Sequence, residues 1–335
     1  MIRKIVALLD GSTLAQGVLP HTWALAHVFQ AEVTLLRVLE QEKKTDTGRL
    51  DPINWHLRKI AAQSFLDEVS KETADDQIAA KTVLLEGAAA NRIIEYIEEA
   101  EPDLIMLSSH GQGGLSPWNI SSVAQKIINR AFSSFMLVRA YHAPDMTHAQ
   151  AQYHRIAVPL DGSKRAECVL PFASQLAAMH NAELLLIHAQ VPPTVLQSHT
   201  LTPEETAVIE QLETRNRTKA ERYLAQMAEQ LEPDTKIHHL SGANTADVLL
   251  EFTDANEVDL VMMSAHGYAS ETVRPYGSIV SSFIAYGSTP LFIIQDLTPD
   301  QIKPTKAELS AIANGNTGRT NRTNAYAQPA DWSSQ

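Results

Sequence analysis

Short apolar runs alternate along this chain with longer segments whose apolar positions recur at helical spacing. In the first half the strand-like runs fall at about 3–9, 33–38, 78–85, 103–108 and 134–139. In the second they fall at about 155–160, 183–189, 236–240, 259–264 and 290–294. Helical patterns lie between them, as at 56–73 and 88–100. Thr202-Pro203-Glu204-Glu205 reads as an N-cap, a proline in the first helical position and a glutamate three after the cap, opening a helix to about 231. Continuously apolar strands alternating with helices predict parallel sheets covered on both faces. The expected fold class is α/β: two doubly wound domains with five-stranded parallel sheets, each in strand order 3-2-1-4-5.

The division into two comes from a repeat. Residues 5–39 and 156–190 share fourteen identities in 35 positions at an offset of 151, including Asp-Gly-Ser at 10–12 and 161–163 and Val-Leu-Pro at 18–20 and 169–171. A second block, 103–111, aligns with 259–267 at an offset of 156. A period this long means duplicated domains rather than a solenoid, whose repeats are roughly 20–50 residues. The connection, 141–153, is polar, which predicts domains at 1–142 and 154–297. The remainder, 298–335, is rich in polar turn formers and predicts a largely disordered tail with a short helix near 304–313. Each domain ends in an apolar strand that would be a liability at a sheet edge. The two final strands are therefore expected to meet antiparallel about a pseudo-twofold axis, with homodimerisation of the whole chain left open.

Composition narrows the function. Among 335 residues the formal net charge is −12, and no basic stripe of the kind a nucleic-acid binder needs is present. No apolar run approaches the roughly 18 residues of a membrane span. The N-terminal apolar run ends at Asp10, too short for a secretory signal core, and Cys168 is the single cysteine, so a cytoplasmic protein is expected. Cys168 is expected to be buried in the first helix of domain two. His238 and His239 are adjacent on a strand, so they point to opposite faces and make a poor metal chelate; no metal site is assigned to protein side chains.

The segment that carries chemistry is Ser264-Ala265-His266-Gly267, nine residues, then Gly277-Ser278-Ile279. It follows an apolar strand and precedes a helix-compatible run to Tyr286. Gly267 is expected to let the chain turn sharply, Gly277 to let backbone approach a ligand, and Ser278 to supply a hydroxyl at the helix start. Helix-start N–H groups are unsatisfied donors that welcome an anion. In the order 3-2-1-4-5, Asp161 closes strand one and Ser264 closes its neighbour, strand four. Their carboxyl ends flank the switch point where open α/β sheets bind ligands.

Both halves, about 1–140 and 154–296, resemble the universal stress proteins, whose nucleotide-binding members have an Asp ending strand one and a Gly-two-Gly-nine-Gly-Ser/Thr pattern ending strand four. Here Ser264 replaces the first glycine. The resemblance implies an adenine nucleotide alpha hydrolase-like fold and a site for ATP, with magnesium or manganese as its cation. The implied nucleotide-binding residues are Leu160, Asp161, Ser163, Ala189, Ser264, His266, Gly267, Arg274, Gly277, Ser278 and Ile279. Asp161 and Ala189 fall near the adenine, Gly267 near the ribose, and Gly277, Ser278 and Ile279 near the phosphates.

The first half carries an eroded version: Asp10, Ser12, Val38, Ser108, Gly111, Ser121, Ser122 and Val123, with Trp118 in the place of Arg274. His110 and His266 occupy matched positions and read as structural or ligand-lining. No nucleophile elbow and no glycine-rich loop with a Walker lysine is present. The expected function is adenine-nucleotide binding in stress response or signalling, without nucleic-acid or membrane partners. A nucleotide-free interaction protein and a slow ATPase remain as alternatives; an electron-transfer-flavoprotein-like reading would need cofactor motifs that are not found.

Overall fold

Strands form where the apolar runs fall because both of their faces are covered. The computed structural model describes residues 1–40, 52–73, 78, 80–111, 120–140, 150–192, 202–232, 234–268 and 275–297. The strands of the first half are β1 (Lys4–Leu9), β2 (Glu32–Leu39), β3 (Ala80–Glu86), β4 (Leu104–Ser108) and β5 (Phe135–Val138). Those of the second are β6 (Arg155–Pro159), β7 (Glu183–Gln190), β8 (Thr235–Ser241), β9 (Leu260–Ser264) and β10 (Leu291–Ile294). They order as β3-β2-β1-β4-β5-β10-β9-β6-β7-β8 in one ten-stranded sheet. Each half is parallel in the order 3-2-1-4-5. The halves join where β5 and β10, four buried residues each, pair antiparallel with Phe292 opposite Met136.

Alternate strand residues feed two apolar layers. Ile5, Ala7 and Leu9 face one layer with Trp23, Leu66, Leu176 and Leu224, from α2 (Leu19–Phe29), α3 (Pro52–Thr73), α6 (Leu170–His180) and α7 (Pro203–Ala228). Val6 and Leu8 face the other with Ile93, Ile127, Leu249 and Phe283, from α4 (Ala89–Ala100), α5 (Ser122–Ala131), α8 (Thr245–Ala255) and α9 (Ser278–Tyr286). Each buried Val, Leu, Ile or Phe side chain among them contributes about 1.5–3 kcal/mol of burial. A one-turn helix, α1 (Thr13–Gln16), precedes α2. At the start of α7 the Thr202 hydroxyl accepts from the Glu205 N–H, and the Glu205 carboxylate accepts from the Thr202 N–H. Asp103 and Asp259, which open the second matched block, are staples of the fold. Each carboxylate accepts two N–H groups at the start of the neighbouring strand, from Arg3 and Lys4 or from His154 and Arg155.

The polar connection holds one residue that its composition hides. Tyr153 is 1% exposed, and its hydroxyl shares a 2.8 Å hydrogen bond with His21 Nδ1 on α2. Its ring also packs against His180, so this position locks the two domains together. Residues 141–149 of the connection, and the tail from 298 with its expected helix at 304–313, lie outside the described residues.

Burial lowers the pKa of His21 from 6.5 to about 4. Between those values the unfolded chain binds a proton that the folded chain refuses, so stability falls as pH drops from 6.5 to 4, by at most about 3 kcal/mol for this group. Melting curves across this window should show a shallower acid fall for His21→Gln than for the parent chain. Equal slopes would remove His21 as the cause.

Candidate functional site

The carboxyl ends of β6 and β9 lie side by side, because Ile156 and Ala157 pair with Leu260 and Val261. The chains beyond them diverge, α6 to one face of the sheet and α9 to the other, leaving a crevice. After β6, Gly162 adopts φ +83°, the left-handed region where glycine has no Cβ penalty. That turn lets the Asp161 carboxylate face back along the crevice. Its Oδ1 accepts from the Ser163 N–H at 2.9 Å and its Oδ2 from the Tyr268 N–H at 2.6 Å. Asp161 thereby ties the end of β6 to the loop after β9. It also explains Gly267, where any Cβ would overlap Asp161 Oδ2. Gly267 does not use the left-handed region; its lack of a Cβ makes room for the Asp161 carboxylate.

At the opposite wall the Gly277 N–H donates to the Ala265 carbonyl at 2.8 Å, placing the start of α9 against the crevice. Gly277, not Ser278, is the N-cap, and no side chain caps the helix. Ser278 is the first helical residue, so its hydroxyl stands at the helix start. A Cβ on Gly277 would sit 3.5 Å from the Ala265 carbonyl oxygen, an ordinary contact, so the fold does not itself require glycine there.

Between these walls is a cavity of about 550 Å³. Leu160 and Asp161 line it from the end of β6, and Ala189 from the end of β7. Ser264, His266 and Gly267 line it from β9 and its loop, and Gly277, Ser278 and Ile279 from the start of α9. Ser163 stands outside this lining; its hydroxyl accepts from the Ala166 N–H at the start of the following 3-10 turn. Arg274 and Trp118 lie outside the described residues. The pattern did not single out Thr245 and Leu249 at the start of α8, nor Tyr268 and Tyr276 in the loop, all of which line the cavity.

Beneath the loop lies a charged cluster. The His266 imidazole is fully buried and donates from Nδ1 to Asp296 Oδ1 at 2.7 Å, while Arg165 Nε donates to Asp296 Oδ2 at 2.5 Å. Burial would raise the Asp296 carboxyl, but the hydrogen bonds from His266 and Arg165 outweigh it and hold it below the usual carboxylate range. Cys168 is half-buried in the 3-10 turn Ala166–Val169 ahead of α6, rather than buried within the first helix. Burial pushes its thiol up, with the Ser264 hydroxyl opposing. His238 packs on Phe252 and His239 on His188, on opposite faces of β8.

The first half repeats the frame and alters its lining. The Asp10 carboxylate accepts from the Ser12 N–H and hydroxyl at 2.8 and 2.6 Å, and Ser12 caps α1. A Cβ on Gly111 would overlap Asp10 Oδ2, and the Ser121 N–H donates to the Ser109 carbonyl at 2.7 Å. Ser108 ends β4, and Ser122 and Val123 open α5. Val38, near the end of β2, packs partly buried on the α4/α5 layer, as Ala189 does on its own. Two differences stand out. The Ser121 hydroxyl accepts from the Ala124 N–H, so α5 is capped by its own side chain. Arg37 occupies the position matching His188, lies against Gly11 and sits 4.9 Å above the Phe65 ring.

Known proteins share this architecture. The universal stress protein family matches residues 1–139 and again 152–295. A universal stress protein of Methanocaldococcus jannaschii is 30% identical over 142 residues, 42% of this chain and 83% of that protein. One from Mycolicibacterium smegmatis is 23% identical over 240 residues, 70% of this chain and 76% of its own length. Among solved structures, a universal stress protein from Archaeoglobus fulgidus superposes with a TM-score of 0.59 at 19% identity, covering 88% of this chain and 98% of that one. With both halves matched and the doubly wound sheet in place, the chain belongs to the universal stress protein family.

Proposed function

We propose that the second domain binds an adenine nucleotide, ATP with magnesium or manganese, and that the protein acts by binding in a cytoplasmic stress or signalling response. The observation that carries this reading is the uncapped start of α9 at the wall of a cavity of about 550 Å³. Unsatisfied helix N–H groups at such a wall favour phosphate without side-chain charge, which suits an acidic protein. Ala189, Leu249 and Met263 give the cavity an apolar part for a base. A divalent cation would be held mainly on phosphate oxygens, with the Ser278 hydroxyl available in the first turn of α9.

In this reading the units are 1–142 and 154–297, followed by the tail. The first acts as a nucleotide-free partner, since Ser121 satisfies the N–H that a phosphate would use and Arg37 crowds the turn at Gly11. The β5–β10 ladder makes the two domains one functional pair within the chain, and a homodimer of the chain would build on that pair.

Binding rather than turnover is expected, because both Asp161 oxygens are engaged by backbone N–H groups and His266 is tied to Asp296. Mass spectrometry of the undenatured protein should find co-purified adenine nucleotide. A melting curve with ATP and magnesium at a hundredfold excess over the dissociation constant should show about 2.7 kcal/mol of stabilisation. Phosphate release should stay far below the roughly 1–100 per second of kinases. No melting shift would sink the nucleotide reading, and rapid release lost in His266→Ala would move the protein to the enzymes.

A further inference from the structure

Helix α9 is held at both ends by the other domain. At its C-terminal end Arg139, 4% exposed just beyond β5, donates to the Phe283 and Ile284 carbonyls at 2.6 and 2.9 Å. At its N-terminal end Tyr276, the residue before the cap, donates its hydroxyl to the Ser133 carbonyl at 3.2 Å. Its ring meets Phe135 edge-on at 5.1 Å. Gln295 strengthens the same end, its N–H donating to Ser134 Oγ and its side-chain amide to the Pro275 carbonyl.

The two bracing side chains are not repeated in the duplicated sequence. At the offset that aligns the second matched block, Arg139 corresponds to Gln295 and Tyr276 to Ile120. The Gln295 side chain bonds within its own domain, to the Pro275 carbonyl and the Leu297 N–H, and Ile120 has no hydroxyl to donate. The braced helix is the uncapped one at the cavity, whereas α5 carries its own cap at Ser121. That pairing has a physical logic. A cation on the last carbonyls neutralises the negative end of the helix and anchors it. Fixing the first turn aligns its N–H groups before a ligand arrives, so less ordering is lost on binding.

We propose that the first domain serves as a brace for the phosphate-facing helix of the second, with Arg139 and Tyr276 as positioning residues that set nucleotide affinity without touching the phosphates. This rests on the nucleotide reading above. The test is calorimetric titration of the full chain with ATP and magnesium, alongside backbone amide exchange without nucleotide. Arg139→Gln, which installs the residue found at the matching position, should weaken ATP about three- to tenfold and speed exchange in 278–286 more than in 245–255. Arg139→Lys should recover part of the affinity. Tyr276→Phe, which removes one hydroxyl from a retained ring, should weaken ATP about two- to threefold and decides the matter if Arg139→Gln fails to fold. A parent chain that binds ATP while both variants stay within its experimental error overturns the brace alone. A parent chain that binds no ATP overturns the nucleotide reading and the brace with it.

Discussion

Gly277→Val should leave the fold intact and reduce ATP affinity by about a hundredfold or more, while Ser121→Val at the matching position should leave affinity within about twofold. The two substitutions differ because the two helix starts differ. At Gly277 there is room for a Cβ, whose first neighbour is the Ala265 carbonyl oxygen at 3.5 Å. Glycine ranks above valine at an N-cap, so the substitution should cost the helix about 1 kcal/mol, well short of unfolding the domain. What the added methyls occupy is the approach to the α9 N–H groups, which carry no side-chain cap. At Ser121 the substitution instead deletes the cap on Ala124 and should lower stability by about 1 kcal/mol without touching the ligand. Calorimetry on both variants, with circular dichroism as the folding control, reads the difference directly. Equal losses of affinity would mean that both domains bind, and no loss from Gly277→Val would place the nucleotide elsewhere.

Much of the architecture was legible because buried parallel strands must be apolar on both faces, and runs such as Leu104–Ser108 and Leu260–Ser264 show that without tertiary information. The capping box at Thr202 was legible because both of its partners lie within one turn. The convergence of Asp161 and Ser264 followed from topology alone. What the pattern hid depends on contacts through space. Gly267 looked like a turn residue, yet its reason is the carboxylate of Asp161, more than a hundred residues earlier. Tyr153 sat in a segment polar enough to read as linker, and its partners His21 and His180 lie in different domains. Asp296 was missed because it follows the last strand, outside both matched blocks. A signal did exist: carrying the second offset further sets Asp296 opposite Ala140, while Arg165 at the first offset stands opposite Leu14. In the first half His110 pairs with the Ser109 hydroxyl instead. A charged pair present in one half and apolar in both matching places of the other is what a coupled local difference looks like in a duplicated sequence.

That cluster carries the second large expectation. Asp296→Ala should destabilise the chain by about 3–5 kcal/mol at pH 7, because it removes the acceptor shared by the buried His266 ring and the partly buried Arg165 guanidinium and leaves that guanidinium without its counter-charge. For a folded unit of this size that corresponds to a drop of roughly 6–20 °C in melting temperature. The pH dependence follows from the direction of the Asp296 shift. Its carboxyl is held below the usual range in the folded state, so the stabilisation is fully present above the unfolded value of about 3.9 and is lost as pH falls through the lower folded value. The gap between parent and Asp296→Ala should therefore be widest near neutrality and close under strong acid. Asp296→Asn keeps the shape and one acceptor, and should fall between the two. A double-mutant cycle with Arg165→Ala separates a true pair from two independent losses, since residues in direct contact couple by about 0.5–3 kcal/mol. Additive losses at Arg165 and Asp296, or a melting temperature for Asp296→Ala within about 2 °C of the parent at pH 7, would show that the loop above the crevice is held by backbone geometry alone.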